Sequence, residues 1–506
     1  MFSKVKLLIF SILVLSLFNG CKSNFLSGQE PPTSSAQNLS SNFAPPAPIV
    51  VDGVRQSYAD VVEKTSPAVV RIDAEHKTKA DASAQGNPMF DDSQPREFFK
   101  NLPQQPQQQR PRIQRGVGSG VVVSADGTIL TNFHVVEGAE KITVTMNNNN
   151  TFTAKVVGSD QPSDLAVLKI ESENLPFLNL GNSDNVRIGD IVLAIGNPLG
   201  IGQTVTAGII SAKGRRTGLS DGSFEDFLQT DAPINQGNSG GALVNLNGEL
   251  IGVNSQILSG AQGGGNIGIG FSIPSNMAKT VMEQLVQNGK VRRGRLGVVL
   301  QPITDAIAEQ FDIKGKKGVL INQIQTGSAA EKAGIKRGDV IVAINGERVE
   351  DPNTLRNKVA GTLPGTEIKV TVLRDGKEQD FTAMLDELES AKTKADNPNG
   401  DEQKEDDNSS QNGKLGLSLQ PTTPELLKQL GLPADTKGLI VSDVDQSGAA
   451  AEVGVARGDV ILEINKKSVE TIEDVQSALA QAGDRPVLLL VSRKGQTVYL
   501  IVTPDK

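Results

Sequence analysis

The 506-residue sequence contains one cysteine, two histidines and no tryptophan. A single cysteine excludes a disulfide within the chain and a CxxC metal or redox site. Any mechanism that needs a histidine must therefore use His76 or His134. Aromatic residues make up only 4% of the chain, so Val, Ile, Leu and Ala must form most of the core. No GxxxxGK[ST] motif occurs, which argues against ATP binding, and we expect no cofactor.

Charge and glycine content narrow the classes of protein further. The net charge is −8, which argues against a general nucleic-acid-binding protein. Part of this charge is local, because residues 386–412 hold nine Asp or Glu and three Lys, a surplus of six negative charges. The 52 glycines suit β-rich domains with many turns. A chain of this length is expected to form several domains.

The N-terminus has the pattern of a targeting segment. Lys4 and Lys6 precede an apolar run that is too short to span a bilayer comfortably, so we expect residues 1–20 to be a signal peptide. The run ends at Cys21, which resembles the lipidated cysteine of bacterial lipoprotein signals; a plain secretory signal with a chance cysteine is the alternative. Residues 22–53 are rich in Ser, Asn and Pro and predict a flexible linker, which would let a lipid-anchored protein stand away from its membrane.

Residues 54–285 predict a β-rich domain. Short β-branched runs separated by Gly, Asn or Asp extend from 115 to 285, and the DG and NG pairs at 126–127 and 247–248 favour hairpins. Many short strands at near-regular spacing indicate an antiparallel sandwich or a pair of barrels. Residues 77–114 lack this periodicity and predict a long polar loop.

The last third of the chain contains an internal repeat. GSAAEKAGIKRGDVIVAINGERVED at 327–351 aligns with GAAAEVGVARGDVILEINKKSVET at 448–471. Two copies of one domain of roughly 90 residues are therefore expected, as a tandem duplication rather than a solenoid. We place the copies at 291–386 and 413–505, with an acidic linker at 387–412 between them.

The stretch QTDAPINQGNSGGALVN surrounds Ser239 with small residues, which an exposed nucleophile needs and an ordinary tight turn also needs. A serine nucleophile requires a base, and that base requires an orienting acid. His76 lies in AEHKTK at the edge of the polar segment and is expected to be solvated. His134 follows an apolar strand in ILTNFHVVEGA, and Asp164 precedes another in QPSDLAVLKI. The candidate triad is therefore His134, Asp164 and Ser239.

A competing motif is G-x-S-x-G, which the residues around Ser239 also match. In α/β-hydrolases the acid and the histidine follow the serine, whereas no histidine follows Ser239 here. That fold also alternates strands and helices, which the strand-rich segment does not. A Ser–Lys hydrolase is excluded only in part, because lysines are plentiful.

Together, TNFHVVEGA, SDLAVLKI and TDAPINQGNSGGALVN closely resemble the HtrA (Do-type, DegP-like) serine proteases, and the repeats resemble the PDZ domains of that family. The resemblance covers residues 54–506. It implies a mainly β protein, with a chymotrypsin-like double β-barrel protease domain followed by two PDZ domains, PDZ1 (291–386) and PDZ2 (413–505). The polar segment 77–114 is similar to the regulatory loop of these proteases.

The resemblance implies a role for each residue of the candidate site. His134 would act as general base and then general acid, Asp164 would orient it, and Ser239 would attack the peptide carbonyl. The oxyanion hole would comprise Gly237, Asn238 and Ser239.

Two sets of binding residues follow from the same resemblance. The S1 pocket would be lined by Ile234, Ile267 and Ile269, which favours small aliphatic side chains at the cleaved position, although core residues of a β domain would look the same. PDZ domains bind peptide C-termini at a Gly-containing loop. The matching loop residues are Leu296, Gly297 and Val298 in PDZ1, and Leu415, Gly416 and Leu417 in PDZ2.

The sequence thus predicts an ATP-independent serine endopeptidase of the periplasm that degrades unfolded or misfolded envelope proteins. The family resemblance adds expectations of a stress-response and quality-control role, chaperone activity, and a homotrimer that assembles into larger cages. One alternative is a proteolytically silent peptide-binding scaffold or holdase. Another is a regulatory protease with a narrow substrate.

Overall fold

The computed structural model describes residues 50–51, 54–78, 112–198, 202–218, 223–259, 266–389 except 312, 314 and 316, and 415–504 except 431, 434 and 435. The predicted signal peptide, Cys21, and most of the residues predicted as linkers or as the polar loop lie outside these ranges. Before the first barrel come β1 (Val50–Val51), β2 (Val54–Arg55) and α1 (Ala59–Thr65).

The first barrel of the protease domain is closed by six antiparallel strands in the order β3-β4-β5-β8-β7-β6. Its strands alternate inward and outward side chains, as in KITVT, where Ile142 and Val144 are buried. The elements are β3 (Val69–Thr78), β4 (Arg112–Ser124), β5 (Thr128–Thr131), α2 (Phe133–Val136), β6 (Lys141–Thr145), β7 (Thr151–Asp160) and β8 (Leu165–Lys169). The segment 77–114 was predicted as a polar loop, but its residues 77–78 belong to β3 and its residues 112–114 belong to β4.

The second barrel is closed in the order β10-β11-β14-β13-β12-β9. Its elements are β9 (Ile191–Gly196), β10 (Thr204–Arg215), β11 (Phe227–Thr230), β12 (Ala242–Asn245), β13 (Leu250–Ser259), β14 (Asn266–Pro274) and the helix α3 (Ser275–Asn288). Helix α3 buries Ala278, Val281 and Leu285 on one face and ends at Gly289. These side chains share an apolar cluster with residues of both barrels, which holds the two barrels together.

PDZ1 contains a six-stranded antiparallel sheet and a separate two-stranded pair, β15 and β22. Its elements are β15 (Gly294–Arg295), β16 (Val298–Pro302), α4 (Asp305–Gln310), β17 (Val319–Ile324), α5 (Ala329–Lys332), β18 (Val340–Ile344), β19 (Glu347–Arg348), α6 (Pro352–Gly361), β20 (Glu367–Arg374), β21 (Lys377–Met384) and β22 (Asp386–Glu387). Strand β16 is at the edge of the six-stranded sheet.

PDZ2 repeats this six-stranded sheet with β23 at its edge. Its elements are β23 (Leu417–Pro421), α7 (Pro424–Gln429), β24 (Leu439–Val444), α8 (Ala449–Glu452), β25 (Val460–Ile464), β26 (Lys467–Ser468), α9 (Ile472–Ala482), β27 (Val487–Arg493) and β28 (Gln496–Val502). None of the helices within the described ranges is long and apolar enough to cross a membrane.

The two PDZ domains share an apolar cluster. Leu320 and Val340 of PDZ1 are buried together with Leu488 of PDZ2, and the rings of Phe311 and Tyr499 meet edge to face at 5.4 Å between centroids. Polar contacts surround this cluster, including two hydrogen bonds between the Gln301 side chain and the Tyr499 main chain. PDZ2 is thereby held against the sheet that carries β16.

Candidate active site

His134 and Asp164 lie on two corners of the first barrel that are hydrogen-bonded to each other. His134 belongs to the one-turn helix α2, and Asp164 follows a 3-10 turn with a left-handed backbone, φ +53°. The Asp164 carbonyl accepts hydrogen bonds from Phe133 N at 3.2 Å and from Asn132 Nδ2 at 2.9 Å. These bonds fix the two corners relative to each other independently of the His134 and Asp164 side chains.

The two side chains form a close pair. His134 Nδ1 lies 2.9 Å from both carboxylate oxygens of Asp164, and the His134 main-chain N donates to Oδ1 at 3.1 Å. Ser255 Oγ donates to the other oxygen, Oδ2, at 2.7 Å. An ionised carboxylate accepts all these bonds and favours the tautomer with the proton on Nδ1, which leaves Nε2 as a proton acceptor.

Ser239 belongs to the second barrel, on the loop between β11 and β12. Its Oγ donates a hydrogen bond to the main-chain O of Ser255 at 2.9 Å. Both Ser239 and His134 are described residues, and no hydrogen bond joins Ser239 Oγ to His134. Ser255 therefore contacts both Asp164 and Ser239.

The small residues around Ser239 allow the loop to pack tightly against the first barrel. Ser119 N donates to Ser239 O at 2.8 Å, and Ser119 Oγ donates to Gly237 O at 2.6 Å. A Cβ atom on Gly240, which has φ +81°, would lie 2.1 Å from Ser119 O and 2.4 Å from Thr131 Oγ1. Glycine at this position is thus required by both backbone angle and space.

The backbone amides predicted for the oxyanion hole are not equivalent. Asn238 N donates to Asn235 O at 2.9 Å within a tight turn. Among the hydrogen bonds of the described residues, none is donated by the amides of Gly237 or Ser239. The amides of Gly237 and Ser239 thus differ from that of Asn238, which is used within the turn.

The three residues predicted for the S1 pocket differ in exposure. Ile234 is buried in the apolar core of the second barrel. Ile267 is 56% exposed, and Ile269 is half-buried beside the cluster that joins the barrels. Asn266 Nδ2 donates to Ile234 O at 2.9 Å, which ties the start of β14 to the β11–β12 loop that also carries Ser239.

The predicted peptide-binding loops have the same geometry in both PDZ domains. Gly297 in PDZ1 and Gly416 in PDZ2 have positive φ angles of +78° and +69°. A Cβ atom at Gly297 would lie 2.3 Å from Ser328 Cβ, so the loop requires glycine. Leu296 and Leu415 are buried in their domain cores. The remaining predicted residues, Val298 and Leu417, begin the edge strands β16 and β23.

Those edge strands differ in exposure. In PDZ1, Val298 and Leu300 are partly buried, and they line a cavity of about 660 Å³ between β16 and α6. In PDZ2, Leu417 and Leu419 are 5% and 8% exposed. The groove of PDZ1 is therefore the more open of the two.

A junction between the protease domain and PDZ1 was not predicted from the sequence. Arg293 makes two hydrogen bonds to the buried carboxylate of Asp160, at 2.8 and 2.5 Å. The guanidinium groups of Arg293 and Arg356 each lie 4.5 Å from the centroid of the Phe224 ring. Helix α6 also donates two side-chain hydrogen bonds to the Glu225 carbonyl. PDZ1 is thus attached to the loop that precedes β11.

The described residues contain no cluster of His, Cys, Asp and Glu that could hold a metal ion. Cys21, the predicted lipidation site, lies outside them. His76 is half-buried on β3 and belongs to the first barrel. It makes no hydrogen bond to Asp164 or Ser239, whereas His134 Nδ1 lies 2.9 Å from Asp164 Oδ1.

Three segments of the chain match known domain families. Residues 118–253 match a trypsin-like peptidase domain, and residues 294–385 and 440–493 each match a PDZ domain. The matches and the two closed barrels confirm the predicted fold class, a double-barrel protease domain followed by PDZ domains.

Proteins similar to most of the chain, and a solved structure similar to about two thirds of it, are proteases by name. A probable periplasmic serine endoprotease, DegP-like, of Chlamydia trachomatis is 43% identical over 464 residues, which cover 90% of each chain. The periplasmic pH-dependent serine endoprotease DegQ of Escherichia coli K12 is 38% identical and covers 88% of this chain and 91% of its own. The solved HtrA-type protease AlgW with tripeptide is 39% identical, with a TM-score of 0.53 over 66% of this chain and 98% of its own.

Proposed function

This chain belongs to the HtrA family of DegP-like serine endoproteases, and we propose that it degrades unfolded proteins in the periplasm through His134, Asp164 and Ser239. The family and the serine endopeptidase activity are those predicted from the sequence. The observation that carries the proposed mechanism is the close His134–Asp164 pair on one barrel, joined by Ser255 to Ser239 on the other.

The proposed reaction is acyl transfer to Ser239. His134 Nε2 takes the hydroxyl proton as Ser239 Oγ attacks the peptide carbonyl, and it then protonates the leaving amine. Asp164 stabilises the imidazolium, and the amides of Gly237 and Ser239 bind the oxyanion. Loss of one such donor typically costs about 3–4 kcal/mol of barrier. Water, activated by the same histidine, then hydrolyses the acyl-enzyme. Ile234, Ile267 and Ile269 are proposed to favour a small aliphatic side chain before the cleaved bond.

Location and partners form the wider proposal. The relatives named above are periplasmic, which supports a periplasmic location for this chain. Lipidation of Cys21 would add a membrane anchor there. Unfolded envelope proteins are the proposed substrates, chaperone activity and a stress-response role accompany their degradation, and the PDZ loops bind peptide C-termini.

We include a homotrimer, able to form larger cages, in this proposal. Ile191 and Ile209 are directly opposite each other on β9 and β10, and both are 39% exposed, with Ile188 nearby in sequence at 66%. An exposed aliphatic surface of this kind on a β-barrel suits contact with a second copy. Light scattering should give three times the mass of one chain, and Ile209→Lys should reduce that mass, whereas Val286→Lys on α3, also exposed, should not.

The test of activity uses residues 22–506. We expect this protein to cleave casein, which lacks a stable fold, faster than a native globular protein, and the Ser239→Ala variant to cleave neither. Cleavage by both proteins at the same rate would contradict the role of Ser239. If neither cleaves casein but both suppress aggregation of an unfolded protein, the scaffold or holdase alternative replaces the protease.

A second candidate is a regulatory protease with a narrow substrate. It is favoured by the Ser239 hydroxyl, which is hydrogen-bonded to Ser255 rather than to His134, because such a site needs rearrangement before catalysis. Cleavage of casein only after addition of a C-terminal peptide would support this candidate over constitutive degradation.

A further inference from the structure

The PDZ1 groove has walls from three domains. The cavity of about 660 Å³ between β16 and α6 is also lined by Arg216 and Phe224 of the protease domain and by Gln496 of PDZ2. Gln496 reaches it because β28 is held on the PDZ1 sheet by the hydrogen bonds between Gln301 and Tyr499. A peptide in this groove would therefore touch more than PDZ1 alone.

The groove is positively charged. Arg216, Arg295 and Arg356 line the cavity, and among the described residues no Asp or Glu lines it. Burial lowers the pKa of the Arg356 guanidinium, and the nearby charges of Arg216 and Arg293 lower it further. Concentrated positive charge of this kind favours an anionic ligand.

The neighbouring carboxylates are already hydrogen-bonded elsewhere. Glu225, which interacts with Arg356, accepts hydrogen bonds from Thr217 N at 2.6 Å and from Ser223 Oγ at 3.0 Å. Asp160 holds both terminal nitrogens of Arg293. Neither carboxylate lines the cavity, so among the described residues its charged lining consists of the three arginines alone.

The floor of the groove is apolar. Leu296, Val298 and Leu300 come from the loop and the edge strand, and Leu355 and Val359 come from α6. An open edge strand binds an extended peptide by main-chain hydrogen bonds, with alternate side chains entering such a floor. The groove therefore combines an apolar pocket with guanidinium groups at its walls.

The direction of the peptide follows from the position of the loop. Gly294 N donates to Thr362 O, so the loop that begins at Arg295 lies beside the C-terminal end of α6. Arg356 and Asn353 precede Val359 by roughly 4.5 and 9 Å along the helix at about 1.5 Å per residue. An extended peptide advances about 3.3 Å per residue, so these positions face residues some one to three places before the peptide's C-terminal residue.

We propose that the PDZ1 groove selects peptide C-termini with an apolar last residue and acidic side chains one to three positions before it, with Arg216 of the protease domain and Arg356 of PDZ1 contacting those carboxylates. This inference rests on the proposed peptide-binding function of PDZ1 and specifies its ligand. The terminal carboxylate would lie at Leu296–Val298, next to Arg295.

The test measures binding of fluorescein-labelled decapeptides to residues 22–506 that carry Ser239→Ala, which prevents cleavage. All peptides end in Val, and the second to fourth positions from the C-terminus are Glu, Gln or Lys. We expect the Glu peptide to bind about tenfold more tightly than the Gln peptide, the Lys peptide to bind more weakly still, and the preference to shrink at high salt.

Single arginine variants assign the contact. Arg216→Gln and Arg356→Gln should each weaken binding of the Glu peptide about fivefold and change binding of the Gln peptide less than about twofold. The matched control is Arg215→Gln, which removes the same charge from the neighbouring residue, outside the cavity. Equal losses in all three variants would show a general charge effect and overturn the assigned contact.

Two further outcomes separate this inference from the proposed function. If Glu and Gln peptides bind equally, and amidation of the C-terminus abolishes both, PDZ1 captures C-termini and the charge selectivity is wrong. If none of the Glu, Gln and Lys peptides binds, both the proposed peptide-binding function of PDZ1 and the charge selectivity are wrong.

Discussion

Ser239 donates its hydroxyl hydrogen to the main-chain O of Ser255 at 2.9 Å. Ser255 also donates its own hydroxyl to Asp164 at 2.7 Å. One residue of β13 thus contacts the serine through its backbone and the acid through its side chain. The arrangement supports the His134–Asp164 pair while holding the Ser239 hydroxyl on a main-chain oxygen.

Ser255→Ala should lower kcat/KM about tenfold or more, because it removes a hydrogen bond to the Asp164 carboxylate. The main-chain O of residue 255, which accepts the hydrogen bond from Ser239, is not changed by this substitution. The measurement is the rate of casein cleavage across pH, which a change in the His134–Asp164 pair would alter. The control is Ser275→Ala, another buried serine, whose Oγ donates to Gly181 O. Similar kinetic losses in both variants would indicate a general loss of stability.

Gly240→Ala should inactivate the protease and destabilise its second barrel, since the added methyl group would overlap Ser119 O and Thr131 Oγ1. The control is Gly189→Ala, which also has a positive φ but has nothing within 4 Å of its added Cβ. Gly189→Ala should lower the free energy of unfolding only by the backbone strain, about 1–2 kcal/mol. Equal unfolding free energies for the two variants would contradict the close approach.

Asp160→Asn should destabilise the chain by about 3–5 kcal/mol, because it leaves the buried Arg293 guanidinium without its carboxylate. Urea unfolding measures this loss, and adding Arg293→Met should recover part of it. As a control, Lys155→Met breaks the exposed pair with Glu171 and should change stability by less than about 1 kcal/mol. No recovery in the double variant would show that Asp160 acts mainly by capping the turn before Asp164.

Asp226 should make stability depend on pH. Burial raises its pKa to about 6, helped by the charges of Asp184 and Asp351 and opposed by Lys213 and Lys358. Because the folded pKa lies above the unfolded value near 4, protonation favours the folded state. This contribution is complete below about pH 4 and is lost as pH rises to 6, by up to about 3 kcal/mol.

Asp226→Asn removes this titration, so its stability relative to the parent should improve between pH 4 and 6.5. Urea midpoints at several pH values measure the difference. Asp484→Asn, an exposed carboxyl between α9 and β27, is the matched control and should follow the parent. A constant offset between Asp226→Asn and the parent at every pH would contradict the raised pKa.

Much of the fold could be predicted because it is encoded locally. The β-branched runs and DG and NG turns of 115–285 indicate an antiparallel β domain, and the repeated RGDVI segments indicate two copies of one domain. The two closed barrels and the tandem sheets agree with both inferences. His134 and Asp164 could be chosen because histidine is scarce and each lies next to an apolar strand.

Other features depend on tertiary contacts that leave no local pattern. Ser255 is an ordinary residue of NSQI in a β-strand until the fold places it between Asp164 and Ser239. Phe224 lies in a polar segment, and its two arginine neighbours come from residues far along the chain. The sequence around Tyr499 predicts only a β-strand, whereas in the structure its ring packs on Phe311 of the other PDZ domain.

The most direct test of the central claim is to treat the active protein with a fluorophosphonate and locate the adduct by peptide mass spectrometry. The account predicts one adduct, on Ser239, formed in step with loss of casein cleavage, and none in a His134→Ala variant. An adduct on another residue, or full inhibition with Ser239 unmodified, would contradict the assignment of Ser239 as the nucleophile.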